Sequence, residues 1–199
     1  MAFSDYKNIA QAQKKFQIKY QEEKFIDAQP FEPPTYFVKE LEFYKANIDI
    51  YTSEASRCEI IISPILREVY KHYYDKCSFW IQKSITYDED LTGTPDYIFA
   101  TKSSLGKTVL EFPLLIIVEA KKNDFEQGWG QCLAELVAAQ KLNKESNSSV
   151  YGVVSDADLW QFGQLIADTF TKNSENYTID NLPQLFGALA FILKSTVVV

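Results

Sequence analysis

Apolar residues recur along the chain in two periods, and together they predict alternating helices and strands. Cys58, Ile61, Ile62, Ile65, Leu66 and Val69 follow a three-and-four spacing, which predicts an amphipathic helix with Ser53 available as its N-cap. Pro64 falls inside it, removes one backbone hydrogen bond, and predicts a bend or a restart. From Ser78 to Tyr87, Phe79, Ile81 and Ile85 alternate with polar residues for much of the run, as in a strand, and a turn follows to Thr94. Pro95 to Ala100 reads as a second strand. Leu114 to Ala120 is apolar almost throughout and reads as a third, buried on both faces; a polar, glycine-containing hairpin loop joins the two. Trp129, Cys132, Leu133, Leu136 and Val137 predict a helix ending near Asn143, and short strands follow at Val150 to Ser155 and Trp160 to Leu165. A closing helix over Leu182 to Leu193 buries Leu185, Phe186, Leu189, Ile192 and Leu193. Ahead of these elements, Ser4 to Tyr20 reads as a helix and the stretch to Pro34 as a connector, while the aromatic segment from Tyr36 to Tyr51 suits helix or strand equally. The order is helix, three strands, helix, two strands, helix. It predicts an α/β fold with a mixed central sheet flanked by helices, in which residues 1–52 form an N-terminal helical extension packing on a core of residues 53–199.

Composition narrows the functional classes. A chain of 199 residues that is 46% hydrophobic and 15% aromatic can bury a sizeable core. The formal net charge of -7 argues against a surface coated for non-specific nucleic-acid binding. It leaves room for a locally basic groove, because charge is felt over roughly 10 Å in physiological salt. Cys58, Cys77 and Cys132 stand far apart, signalling neither a zinc site nor a disulfide framework, so a reducing, cytoplasmic setting is expected. No apolar stretch approaches the roughly 20 residues of a membrane span, and no membrane partner is expected.

The chemistry gathers around two strand ends. Asp96 follows Pro95 at the start of one strand, and Glu119 and Lys121 flank Ala120 at the end of the next. Side chains alternate along a strand, so positions 119 and 121 share a face, and a hairpin pairing would bring Asp96 to them. Carboxylates suit a hard cation such as Mg²⁺ or Mn²⁺, and a neighbouring lysine can orient or help deprotonate a water. Such a set matches hydrolysis of a nucleic-acid backbone. Glu119 closes a run of buried residues, where an acid needs a partner or a metal.

Pro95-Asp96 followed by Glu119-Ala120-Lys121 resembles the signature of the PD-(D/E)xK nuclease superfamily. With Ser53-Glu54-Ala55-Ser56-Arg57 and Ile62-Ser63-Pro64-Ile65-Leu66, the pattern is similar to the nuclease domain at the start of type I restriction enzyme cleavage subunits, over roughly residues 53 to 165. The resemblance implies a restriction endonuclease-like core and a Mg²⁺-dependent deoxyribonuclease. In it Asp96, Glu119 and an acid from the first core helix hold the metal, and Lys121 positions or activates water. Glu54 and Glu59 compete for the helix position; Glu54 lies closer to the apolar stripe and is preferred. Family members carry Gln and, four residues on, Tyr in the following helix. Gln131 fits, but Glu135 replaces the Tyr, and the two share a face opposite Trp129, Leu133 and Val137 that turns either to substrate or to solvent. DNA is the expected partner, with a homodimer or a place in a larger system both compatible. The rival expectation is a catalytically silent module with the nuclease fold, which the acidic net charge and Glu135 favour. Lys102, Lys107, Lys121 and Lys122 form a mildly basic cluster that suits phosphate contacts or solvent, and Tyr97, Phe125, Trp129 and Trp160 suit base stacking or core. Leu105-Gly106-Lys107-Thr108 ends like a phosphate-binding loop but lacks its first glycine, and His72, the single histidine, excludes histidine-based triads within one chain.

Overall fold

The computed structural model describes residues 2–197. After a short N-terminal turn, α1 (Ile9–Phe16) begins where the Asn8 side chain accepts the Gln11 N–H at 3.0 Å and ends at Gln17, in the left-handed region at φ 58°. The stretch expected to be a connector contains a strand, β1 (Lys19–Glu23). Past Pro34, the ambiguous aromatic segment is helical, α2 (Thr35–Asn47), with Phe37 and Leu41 buried one turn apart. Next come α3 (Glu54–Arg57), a π-helical turn (Cys58–Ile62) and α4 (Ser63–Tyr70), one continuous helical run capped as expected by Ser53, whose hydroxyl accepts the Ser56 N–H at 3.0 Å. The π turn answers the Pro64 problem. The Ser63 N–H reaches back five residues to the Cys58 carbonyl, and Pro64 falls in the first turn of α4, where its missing donor costs little.

β2 (Cys77–Ile81) ends at Gln82, whose φ of 47° turns the chain, so the strand expected through Tyr87 is broken. Its continuation, β3 (Ile85–Thr86), pairs with β4 (Thr92–Gly93) as a separate ribbon. The remaining elements are β5 (Tyr97–Thr101), β6 (Leu114–Ala120), α5 (Phe125–Asn143), β7 (Val150–Ser155), β8 (Leu159–Ile166), β9 (Thr169–Asn173), β10 (Tyr177–Thr178) and α6 (Leu182–Val197). β6 and β7 carry the bounds read from the sequence.

One sheet of eight strands runs in the order β1-β9-β8-β7-β6-β5-β2, with β10 beside β8. β2, β5 and β6 form an antiparallel meander, and α5 carries the chain across to β7, which lies parallel to β6. β8 and β9 continue antiparallel, and β1 closes the edge parallel to β9. The mixed, helix-flanked sheet of the expected α/β class is therefore present, with β1, β9 and β10 added. Alternation along the strands divides the core into two layers. Ile98, Leu114, Ile117 and Val154 face α5 and α1, whereas Tyr97, Phe99, Ile116 and Val118 face α4 and α6. The first fifty residues reach both layers: α1 lies on α5, β1 joins the sheet, and Phe37 of α2 packs on Phe186 of α6 with ring centroids 5.6 Å apart.

Candidate active site

The site forms at the sheet end where β5 starts and β6 finishes. Tyr97 pairs with Val118, so one step outward Asp96 stands across from Glu119. The backbone holds Asp96 twice: its Oδ2 accepts the Ala120 N–H at 2.8 Å, and its carbonyl accepts the Gln82 N–H at 2.8 Å. Asp96 is two residues from Ile98, and Glu119 and Lys121 are two and four from Ile117, so all three lie on the α5 face. The strand alternation read from the sequence thus brings Asp96, Glu119 and Lys121 together.

Glu119 is 1% exposed, and no backbone N–H donates to either of its oxygens; the Glu135 carboxyl lies within hydrogen-bonding reach of it. Lys121 Nζ sits 3.3 Å from Glu119 Oε2, an ion pair outside hydrogen-bonding geometry. Behind Glu119 stand Gln131 and Glu135 of α5, both buried, with Gln131 Nε2 donating to Glu135 Oε1 at 3.1 Å. The solvent alternative for this pair is corrected. α5 is buried on every side from Gly128 to Ala139, because the N-terminal segment covers the face opposite the sheet; a Cβ at Gly130 would lie 2.7 Å from the Asn8 nitrogen. Gly128 makes room for the lysine, since a Cβ there would meet Val154 Cγ1 at 2.6 Å and Lys121 Cγ at 3.0 Å.

Electrostatics follow from this burial. Burial raises the pKa of Asp96, against the Ala120 N–H and the Lys121 charge, which lower it. Glu119 is pushed up to about 7, by burial first and then by the charge of Asp96. Glu135 is driven well above the ordinary carboxyl range, by burial and then by Glu119. Burial alone would lower Lys121, but the carboxylates of Glu119, Glu54 and Asp96 outweigh it and raise the ammonium.

Glu54 is exposed at the first residue of α3, and its charge reaches both Asp96 and Lys121. Glu59 instead lines a cleft on the α2 side, with Tyr36 and Glu40. Among the described residues, no three His, Cys, Asp or Glu side chains converge to hold a metal ion. Asp96 and Glu119 still fit Mg²⁺, which takes one or two carboxylates and keeps several waters. The Glu119 oxygens, which receive no backbone N–H, are acceptors such an ion would take.

Arg57 was not singled out in the sequence. It is 4% exposed and donates through Nη1 to Asn123 Oδ1 at 2.9 Å and to the Asp156 carbonyl at 2.8 Å. Lys122 Nζ donates to the Thr52 carbonyl at 3.1 Å, so two cations tie the loop after β6 to α3 and the residues just before it. The sequence signal was Arg three residues after Glu54, one helical turn along, but only the fold gives it partners.

The basic cluster does not hold together. Lys102 and Lys107 lie in the loop joining the far ends of β5 and β6, and the seven residues of β6, about 20 Å of strand, separate them from Lys121. An antiparallel hairpin necessarily puts its loop opposite its open end. Tyr97, Trp129 and Trp160 are core residues, 3%, 4% and 0% exposed, leaving Phe125 half-buried. His72 is exposed, its ring edge-on to Phe31 at 4.8 Å. Clefts of about 530 and 550 Å³ lie away from the carboxylates, the first between α2 and α4 and the second near Lys76, Asn143 and Tyr151. No helix among the described residues is long and apolar enough to cross a membrane. A scan against protein-family models finds no match to this chain, and a search of curated proteins finds none.

Proposed function

We propose that the chain is a metal-dependent nuclease of the PD-(D/E)xK type, hydrolysing DNA phosphodiester bonds at Asp96, Glu119 and Lys121. The observation that carries this reading is Glu119, a fully buried carboxylate to which no backbone N–H donates, opposite a second carboxylate and met only by the Glu135 carboxyl and by an ammonium at 3.3 Å. A carboxylate kept only for structure at that depth is expected to be hydrogen-bonded or replaced. The chain order gives further support: a helix, the β2-β5-β6 meander, then α5 crossing to a parallel β7 agrees with a restriction endonuclease-like core.

Asp96 and Glu119 would hold Mg²⁺ or Mn²⁺, with Glu54 adding its charge from α3. When bound, such an ion supplies charge neutralisation at the phosphodiester and acidifies the attacking water. Lys121 keeps its proton among three carboxylates, so it acts as a cation that orients a water or a phosphate oxygen, not as a base. The Ala120 N–H fixes the carboxylate of Asp96 in one orientation. Gln131 acts one residue removed, by holding Glu135 behind Glu119.

One observation favours the silent binding module: Lys121 and α5 already close Glu119 off from solvent. Cleavage of plasmid and single-stranded DNA with Mg²⁺ or Mn²⁺ tests the nuclease. Cutting should fall by about a hundredfold or more in Asp96→Ala and in Lys121→Ala. Equal cutting in all three would mark a contaminant, and absence of Mg²⁺ and Mn²⁺ binding by calorimetry would favour the module.

A further inference from the structure

Beside the carboxylates, on the same face and at the same sheet end, lies a cleft of about 200 Å³ that the proposed chemistry does not use. Strand register fixes its distance. Glu119 pairs with Val154, and Val154 pairs with Gln161, so a single row of the sheet runs from the carboxylate to the cleft wall. Two strand spacings make that about 10 Å. Gln161 spends its Oε1 on the Trp129 indole N–H at 2.7 Å, and its amide N–H groups have no partner among the described residues. Lys172 pairs with Gly163, two residues past Gln161, and so projects from the same face. Its ammonium, half-buried, makes no ion pair or hydrogen bond among the described residues. Burial lowers its pKa, against the charge of Glu22 across from it on β1, which raises it, and an anion in the cleft would add to that second effect. Tyr20 and Phe125 supply ring surface, the first 40% exposed with its hydroxyl bonded to Glu22. Glu126 at the rim repels phosphate on the α5 side, and Glu22, paired across from Lys172, repels it on the β1 side, so Lys172 is the cleft's phosphate contact between two acids.

An aromatic wall, an ammonium without a close ion pair and unbonded amide donors in a space for one base match an unpaired nucleotide. A stacked duplex cannot put a base into such a cleft without flipping it. Resting on the nuclease reading, we infer that the cleft receives one unpaired nucleotide of a single-stranded DNA substrate, base against Tyr20 and Phe125, phosphate at Lys172, adjacent to the phosphodiester that is cut. The carboxylates and the cleft are then consecutive stations on one strand.

The test is fluorescence anisotropy in EDTA, where no cleavage occurs, with a short labelled oligothymidylate, its abasic counterpart and a duplex of equal length. Wild type should bind the oligothymidylate tightest. Phe125→Ala and Lys172→Ala should each weaken it by about tenfold. Lys172→Met, which keeps the aliphatic stem, should behave like Lys172→Ala and flatten the salt dependence, and unchanged thermal melts would establish that the variants are folded. Wild-type affinity in all three variants, a preference for duplex, equal binding of the abasic strand, or no binding to any probe would overturn the cleft. In each of those cases, Asp96-dependent cutting of duplex by the same preparations would leave the nuclease standing; loss of cutting as well would remove both.

Discussion

At Glu119 burial and charge oppose each other, and Lys121 and Glu135 offset the conflict only in part. Its carboxyl titrates near 7, above the ordinary range, so the folded state binds a proton more tightly than the unfolded one does. The stability this group contributes is therefore full below its unfolded pKa, near 4.3, and is lost as pH rises through about 7. Glu119→Gln removes the charge and should stabilise the metal-free protein at pH 8 by about 1–3 kcal/mol in a denaturant melt, while flattening the fall in stability between pH 5 and 8. An unchanged pH profile would mean that Glu119 is not the titrating group. Asp96, Glu119 and Lys121 could be read as a set because strand alternation is a local rule. Glu135 and Arg57 could not, since their importance comes from residues far away in sequence: Glu119 sixteen positions back, and Asn123 and Asp156 on other loops.

Among the elements, α5 does most to shape the site. Exposed glycine in a helix costs about 1 kcal/mol relative to alanine, so Gly128→Ala would ordinarily stabilise. Here the added Cβ meets Val154 at 2.6 Å and the Lys121 stem at 3.0 Å. The clash should prevail, destabilising by about 1–3 kcal/mol in a chemical melt and depressing cleavage through displacement of Lys121. A net gain in stability would show that α5 shifts freely on the sheet. The helical period of residues 58–69 and the apolar run of β6 were legible because burial there follows one stripe or one strand. α5 was legible as a helix, but its polar face was not legible as buried, because what covers it arrives from the other end of the chain. β1 had no signal, since all five of its residues are exposed and it is specified only by pairing with β9.

On the nuclease reading, metal and pH are linked across the whole molecule. Ligand carboxylates must lose their protons, and both Asp96 and Glu119 have raised pKa values. Mg²⁺ or Mn²⁺ should therefore raise the melting temperature more at pH 8 than at pH 6, and the shift should vanish in Glu119→Gln. A pH-independent shift, or one that survives the substitution, would move the metal elsewhere.

The sequence by itself determined the order of the principal helices and strands, the bounds of β6 and β7, and the shared face of Glu119 and Lys121, because hydrophobic period and strand alternation act between near neighbours. Tertiary structure alone decided that Glu119 receives no backbone hydrogen bond, that Glu135 is sealed behind it, that Lys102 and Lys107 lie at the opposite end, and that Gln161 and Lys172 open a cleft two and three strands away. Each of these depends on which distant segments the sheet makes adjacent, and pairing between remote strands leaves no periodic trace in either strand alone.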